Sequence, residues 1–500
     1  MNKAYIITDK PEFYNDISEE MRLFIDITDI EMGASDNFPS EGELELSVFL
    51  VGNGENWLAE ARVRAFIGGE LKCAEYTHSQ KAIDDTPLLE KRYMKRCIKV
   101  AVFRAMKKLF PTYVPWGSLT GIRPTRLLRE LYETETVTSA DELMLNEFDV
   151  RPEKLALAKE ITEVQKPFID SVTENDIDIY IGIPYCRTKC LYCSFSSCVR
   201  GPKTDMRAYI DALKRDIRYG AELIRESGRS VRSMYIGGGT PTVLTVSELD
   251  EVISYALESY GGCGAEFTVE AGRPDTIDGE KLRLLKKFGV SRISINPQTM
   301  NDRTLEIIGR MHSVSDIVKT YDLAREIGFD SINMDVIAGL MGEDLACMQR
   351  TMDEIAKLEP DNLTVHTLAV KRSSRLKEHL DEYMLLSADE VDKMVNVGMQ
   401  VARDMGMRPY YMYRQKYMSG NLENVGYAKA NKVCMYNIDM MEETTSIMAH
   451  GAGAMSKCVF PSEQRLERIA NPKDIATYID KIDLTASKKR ELFVCGAKRI

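Results

Sequence analysis

The run Cys186-Arg-Thr-Lys-Cys190-Leu-Tyr-Cys193 places three thiols on one short loop, directly behind the apolar segment Ile177–Ile183. A C-x3-C-x2-C spacing lets one tight loop present three thiolates to one cube-shaped iron–sulfur cluster. A [4Fe–4S] cluster ordinarily takes four cysteines, so three leave one iron open to a non-protein ligand. S-adenosylmethionine (SAM) chelates an open iron through its amino and carboxylate groups. Electron transfer from the cluster then breaks its C–S bond and yields a 5′-deoxyadenosyl radical. A structural zinc site is the competing reading. Zinc loops use C-x2–4-C pairs and four closed ligands, and no such partner pair occurs among the other cysteines. The expected cofactors are a [4Fe–4S] cluster on Cys186, Cys190 and Cys193, and SAM.

The sequence around this loop has a strong rhythm. Strand candidates Ile177–Ile183, Ser233–Ile236, Glu266–Glu270, Arg292–Asn296, Ser331–Ile337 and Asn362–Leu368 alternate with amphipathic helices such as Tyr209–Arg225 and Val314–Glu326. Six β-α repeats predict a parallel sheet with right-handed crossovers, curled into a full or partial barrel. Chemistry in such barrels gathers at the C-terminal strand ends. The second strand runs into Tyr235-Ile-Gly-Gly-Gly-Thr-Pro-Thr242, where three glycines let the backbone pass close to a ligand. A glycine run alone is weak. Beside the cysteine loop it gains meaning, because SAM's amino group needs carbonyl acceptors next to the cluster.

Three domains are expected: 1–165, an α/β unit; 170–380, the barrel; and 381–500, a smaller unit. The first holds strand-like runs (Ala4–Thr8, Glu43–Val51, Ala59–Ile67, Leu71–Thr77), a cationic helix near Leu88–Leu109, and the Gly/Pro-punctuated segment from Val114 to Arg126. Arg123 and Arg126 there read as surface or interdomain ion-pair partners, with an acidic ligand as the second reading. The last unit carries a helix at Ala388–Met405, the tyrosine-rich run Tyr410–Tyr417 and the segment His450-Gly-Ala-Gly-Ala-Met-Ser456; it is expected to cover the barrel mouth.

Charge and cysteine usage narrow the function. Sixty-six Lys and Arg against 77 Asp and Glu leave a formal charge of −11, which argues against a nucleic-acid partner. No apolar run approaches a membrane span, and the first residues lack a signal-peptide core. Eleven scattered cysteines do not make a disulfide framework. A cytoplasmic location is expected.

The combination Tyr180-Ile-Gly-Ile-Pro-Tyr-Cys186…Cys190-Leu-Tyr-Cys193 with Gly237-Gly-Gly-Thr-Pro241 resembles the radical SAM family of oxygen-independent coproporphyrinogen III oxidases, which also contains haem chaperones. The extra N-terminal domain and the run Trp116-Gly-Ser-Leu-Thr-Gly-Ile-Arg-Pro124 are most similar to its HemZ-type branch. The resemblance implies a radical SAM partial (β/α)6 barrel with an N-terminal α/β domain and a small C-terminal domain like that of the family. It also implies site roles. Tyr180 matches a tyrosine near SAM, and Tyr192 an aromatic residue packed by the adenine. Gly238, Gly239 and Thr240 match the motif binding SAM's amino group, and Glu270 a glutamate bonded to a ribose. Gln298 and Arg310 match a Gln/Arg pair at the same spacing, and Asp335 a further polar contact.

The implied reaction is oxidative decarboxylation of two propionates of coproporphyrinogen III, giving protoporphyrinogen IX in haem biosynthesis. The implied partners are a tetrapyrrole and a reducing electron donor such as flavodoxin or ferredoxin. The alternatives are a haem chaperone, or another radical reaction on a tetrapyrrole such as haem methylation or ring opening. Three departures from the oxidase pattern lie near the loop: Phe195 stands where the oxidases carry a fourth cysteine, Gly182 where they carry a histidine, and Cys193-Ser-Phe195 resembles the aromatic residue that chaperone-type members show after the third cysteine. Cys198 reads as inert, with replacement of the missing thiol as the second reading. Arg200, Lys203, Arg207, Lys371, Arg372, Arg414 and Lys416 are candidate grips for propionates, and His366 is a candidate at the barrel mouth.

Overall fold

A computed structural model describes the chain apart from residues 2, 28, 35–39, 53, 83–86, 122, 416–417, 464 and 497–500, and apart from the Leu88 side chain. The chain divides into two compact units, Met1–Ala158 and Lys159–Ile500.

In the first unit, strands β1 (Lys3–Thr8), β2 (Asp29–Met32), β3 (Glu43–Gly52), β4 (Asn56–Ile67) and β5 (Glu70–Lys81) form one sheet in the order β2-β1-β3-β4-β5. β1 runs parallel to β2 and β3, and β3, β4 and β5 form an antiparallel meander. Side chains on β4 alternate, with Ala59, Ala61, Val63 and Ala65 buried, as a half-buried sheet requires. The helix Pro87–Leu109 lays its apolar stripe, including Ile98, Val102 and Met106, into the core of this unit. The short β2 gave no readable signal in the sequence.

The second unit is built on an eleven-stranded sheet. Its parallel centre is β6 (Asp176–Ile183), followed after the two-residue strands β7 (Tyr185–Cys186) and β8 (Cys198–Val199) by β9 (Ser230–Gly238), β10 (Glu266–Gly272), β11 (Arg292–Ile295), β12 (Ile332–Ala338) and β13 (Asn362–Thr367). These six match the six sequence-derived strands and pair in chain order, each crossing over through a helix. β14 (Arg408–Tyr413) and β15 (Asn424–Ala428) extend the β13 side antiparallel. On the other side β16 (Ser446–His450) joins β6 in parallel, and β17 (Met455–Phe460) and β18 (Arg465–Ala470) follow antiparallel. Strands from beyond residue 381 thus belong to the same sheet as the β-α repeats. The result is one mixed sheet with the six β-α repeats at its parallel centre.

The N-terminal end of the parallel sheet is sealed by charge. Glu266 pairs with Arg292 at 2.6 Å and accepts N–H bonds from Met435 (3.1 Å) and Tyr436 (3.4 Å). A carboxylate is favoured at the start of a helix, here Met435–Glu442. Arg292 also donates to the Lys432 and Val433 carbonyls, and Asp439 from the same helix pairs with Arg232 at 2.8 Å. Buried charges need such partners. Together they fix this helix against the N-terminal ends of β9–β11 and leave the opposite, C-terminal ends for chemistry. No described helix is long and apolar enough to cross a membrane.

Candidate cofactor site at the strand ends

The loop with the three cysteines follows β6 directly, and its geometry is set by glycines on the next strand. A Cβ on Gly239 would lie 2.5 Å from the Tyr185 carbonyl oxygen and 3.0 Å from Cys186 Sγ. Only a residue without a side chain allows this approach. The N–H groups of Gly239 and Thr240 donate to the Ile183 and Tyr185 carbonyls at 2.8 Å, so the glycine run is stitched onto the cysteine loop. These two amides are therefore committed to the protein. The Gly239 carbonyl accepts no hydrogen bond among the described residues. Gly238 has φ 109°, a conformation that suits glycine, and its N–H meets Glu270 Oε2 at 3.3 Å.

Cys190 is buried, and Cys186 and Cys193 are partly buried. Burial pushes the Cys193 thiol up, and the neighbouring Cys190 and Cys186 add to the shift, so the three sulfurs feel one another. No group of three His, Cys, Asp or Glu among the described residues is arranged around one metal ion. A mononuclear zinc site needs sulfurs about 2.3 Å from one centre; a cube offers each cysteine its own iron and spreads them wider.

Cations surround the loop. Arg273, just past β10, donates to the Thr188 carbonyl at 3.1 Å and to Thr188 Oγ1 at 2.8 Å; its Nη1 lies 4.0 Å from Cys190 Sγ. It is held by Asp275 at 2.9 Å. Arg310 donates to the Asn296 carbonyl at 2.5 Å and faces the Tyr192 hydroxyl at 3.4 Å. Burial pushes the Lys371 ammonium down, and attraction to Cys193 works against that shift. Positive charge of this kind stabilises thiolates. The donor set therefore fits a thiolate-bound cluster, and two buried polar atoms without a partner, Arg310 Nε and Asn296 Oδ1, fit a polar ligand beside it. Arg273 and Lys371 were not picked out as part of this cofactor shell from the sequence; their signal was a position one residue past β10 and four residues past β13.

The remaining expected residues form a second group at the same strand ends. Glu270 accepts from the Tyr235 hydroxyl at 2.6 Å, and burial pushes its carboxyl up to about 7 despite that bond. Tyr180 stacks with Tyr235 and with Tyr436, at 6.2 Å in each case. Gln298 sits at φ 68°, rare for a side-chain-bearing residue, and is pinned by backbone bonds to Asp335 (2.8 Å) and Ile337 (3.0 Å). Such strained positions concentrate at functional sites. Asp335 accepts from Asn333 at 2.8 Å and lies 3.6 Å from His366 Nε2, while the Tyr413 hydroxyl reaches His366 Nδ1 at 3.4 Å. Burial works against the Asp335 carboxylate, and His366 and Asn333 outweigh it, holding it below its usual range.

Among the candidate propionate grips, Arg200 is bound to Glu248 by two bonds of 2.8 and 2.9 Å, and Arg207 pairs with Glu251 and Asp211. Both are committed to carboxylates of the surrounding helices. Arg414 is buried and donates to the Asn421 carbonyl, and Lys416 lies outside the described residues. Phe195 is 66% exposed beside the loop. At Gly182 an added Cβ would meet the Tyr180 ring at 3.2 Å and the His450 carbonyl at 3.3 Å. His450 does not replace the missing histidine, because its ring is fully buried on Tyr260 and Asp216.

This architecture and this loop define a radical SAM protein, and the pattern of the radical SAM superfamily matches residues 180–355. The superfamily uses a [4Fe–4S] cluster and SAM, and these are the cofactors of this chain. The chain belongs to the family of oxygen-independent coproporphyrinogen III oxidases and their relatives: it is 38% identical over 380 residues to the oxygen-independent coproporphyrinogen-III oxidase-like protein HemZ of Bacillus subtilis, covering 75% of this chain and 76% of that one. Heme chaperone HemW of B. subtilis is 34% identical over 38% of this chain and half of its own length. The solved structure of coproporphyrinogen III oxidase (HemN) from Escherichia coli, a radical SAM enzyme, shares the fold with a TM-score of 0.50. It is 22% identical, over 65% of this chain and 73% of that one.

Proposed function

We propose that the protein catalyses oxygen-independent oxidative decarboxylation of coproporphyrinogen III to protoporphyrinogen IX. The observation that supports this reading most is the HemZ likeness across three-quarters of both chains. It runs together with a cysteine loop, glycine run and buried polar pairs at one set of strand ends. In this reading Cys186, Cys190 and Cys193 each ligate an iron. Bound there, the cluster and SAM would supply a 5′-deoxyadenosyl radical able to take a hydrogen atom from a propionate side chain. Arg310 would hold the methionine carboxylate, the Gly239 carbonyl would accept from the amino group, Glu270 would receive a ribose hydroxyl, and Asp335 would make a further polar contact. Each propionate then leaves CO2 and becomes a vinyl, with a further electron passed to an acceptor. A flavodoxin or ferredoxin is the proposed reductant, and the cytoplasm the proposed location.

Phe195 and Gly182 favour a second reading, a haem chaperone, since they stand where the oxidases carry a cysteine and a histidine and since HemW is among the relatives. The anaerobically reconstituted protein with coproporphyrinogen III and a reductant is expected to give a product lighter by two CO2 and four hydrogens, with about one SAM consumed per propionate. SAM cleavage with unchanged coproporphyrinogen and stoichiometric haem binding transfers the assignment to the chaperone. Haem that gains a methyl group or loses its ring closure assigns another tetrapyrrole reaction.

Arg310→Met tests the SAM roles separately. Losing a charge-assisted bond is worth about 1.5–3 kcal/mol, roughly ten- to a hundredfold in affinity. Calorimetry is expected to show that weakening while iron content and cluster absorbance stay intact. Equal affinity in the variant removes Arg310 from the site.

A further inference from the structure

The segment between Val114 and Arg126, whose role the radical chemistry leaves unexplained, forms one wall of a cavity of about 230 Å³ inside the N-terminal unit. Its geometry is firmly held. Trp116 is fully buried, and a Cβ on Gly117, at φ 53°, would collide with the Phe148 carbonyl oxygen at 1.9 Å. The opposite wall is the cationic face of the helix Pro87–Leu109. Arg92, Lys95, Arg96 and Lys99 all line the cavity, joined by Arg123 and Arg126 from the segment. On a helix these positions, i, i+3, i+4 and i+7, share one face, and like charges there repel. Leu119, Leu127 and Phe148 give the cavity an apolar side.

Most of these cations have a protein partner. Arg92 pairs with Glu130, Lys95 lies 3.6 Å from Asp16, and Lys99 lies 3.1 Å from Glu20. Arg96 differs. Its guanidinium lies over the rings of Tyr93 (5.1 Å) and Phe148 (5.2 Å), and among the described residues it makes no ion pair and no hydrogen bond. Aromatic contacts occupy the faces of a guanidinium and leave its in-plane N–H donors unused. An arginine held this way lacks an acceptor with paired oxygens.

We propose that this cavity is a binding site for a small phosphate-bearing molecule. The in-plane edge of Arg96 takes the phosphate, Arg92, Lys95 and Lys99 stand around it with their charges shared with Glu130, Asp16 and Glu20, and Leu119, Leu127 and Phe148 pack the organic part. A phosphate monoester carries close to two charges at neutral pH, which suits a shell with several cations better than a single carboxylate does. The volume lies below the usual range of about 300–1,000 Å³ for ligand pockets, which suits a compact ligand and not a nucleic-acid strand. Its lining residues fall outside the radical SAM stretch in sequence, residues 180–355, so its test stands apart from the proposed reaction.

Calorimetry on the full-length protein tests it with three probes: inorganic pyrophosphate, adenosine 5′-monophosphate and citrate. Saturable binding of a phosphate probe, at least tenfold tighter than citrate, is expected. Tighter binding of the nucleotide than of pyrophosphate assigns an organic phosphate; the reverse assigns an inorganic one. Arg96→Met is expected to lose at least tenfold in that affinity with SAM affinity unchanged. Lys95→Met, a milder change on the cavity rim, is expected to lose about threefold. No saturable binding by any probe, citrate binding as tightly as phosphate, or unchanged affinity in both variants overturns the proposal.

Discussion

Alanine in place of Cys186, Cys190 or Cys193 is expected to abolish reductive cleavage of SAM, with 5′-deoxyadenosine falling below detection in an anaerobic assay. The effect is all-or-none because, in the proposed assignment, each thiolate holds a different corner of one cluster, and a corner without its ligand has no close substitute. The sulfurs sit on a loop stitched to Gly239 and Thr240, so a distant thiol cannot swing in without breaking that stitching. Cys198 is exposed and opposes Tyr185 in a two-residue ladder; Cys198→Ala is expected to retain iron and activity. Iron and sulfide analysis beside the assay separates loss of cluster from loss of SAM. Zinc in the purified protein, or 5′-deoxyadenosine from the triple variant, would falsify the cluster assignment. Loss of activity in Cys198→Ala would instead add a fourth thiol to the site.

Most of this site was legible because its residues lie at the ends of strands that the sequence announces. β6, β9, β10, β11, β12 and β13 are short, apolar or alternating, and separated by clear amphipathic helices, so their C-terminal ends could be located and the cysteine, glycine and acidic positions placed there. The shape of the sheet beyond them was not legible. β16 is five residues long and buried throughout, so it carries no alternation to betray a strand, and its parallel neighbour β6 lies some 270 residues earlier in the chain. The same holds for the Glu266–Arg292 pair and the helix it holds. Read alone, each charge looks like a solvated surface group; only the fold shows that Glu266 sits at a helix start. Arg273 was missed for a related reason, since an arginine after a strand end is common and its approach to Thr188 and Cys190 depends on residues 85 and 83 positions earlier in the chain.

The second large effect is expected far from the cysteines, at Asp216. This carboxylate is nearly fully buried and accepts from Lys489 Nζ at 2.8 Å, Tyr478 Oη at 2.9 Å, Asn471 Nδ2 at 3.0 Å and the Gly451 N–H at 3.2 Å. His450 Nδ1 lies 3.1 Å from it. Lys489 is itself fully buried, and its other partner is the Ala449 carbonyl. Asp216→Ala therefore strands an ammonium group in the interior, which costs about 3–5 kcal/mol. A matching fall in the urea midpoint is expected for the transition of the second unit. Asp216→Leu combined with Lys489→Met removes both charges and is expected to cost less than the two single changes together. Burial works against the Asp216 carboxylate, but Lys489 and His450 outweigh it and hold it below its ordinary 3.8. A depressed carboxylate contributes stability that is present above the unfolded value and is lost as pH falls through the folded one. The gap between wild type and Asp216→Ala is thus expected at pH 7 and still at pH 5. The network also reaches the cofactor site. Gly451 packs so closely on the Gly182 carbonyl that an added Cβ would lie 2.3 Å from its oxygen. Tyr209, whose ring centroid lies 5.9 Å from that of Tyr478, donates to the same carbonyl at 2.7 Å and meets the Tyr185 ring edge-on at 5.3 Å. Loosening Asp216 therefore loosens the end of β6 from which the cysteine loop departs. Cluster loss in Asp216→Ala is expected to begin at lower urea than in wild type. A variant with unchanged urea midpoints for both unfolding and cluster loss would show that the buried pair is replaceable.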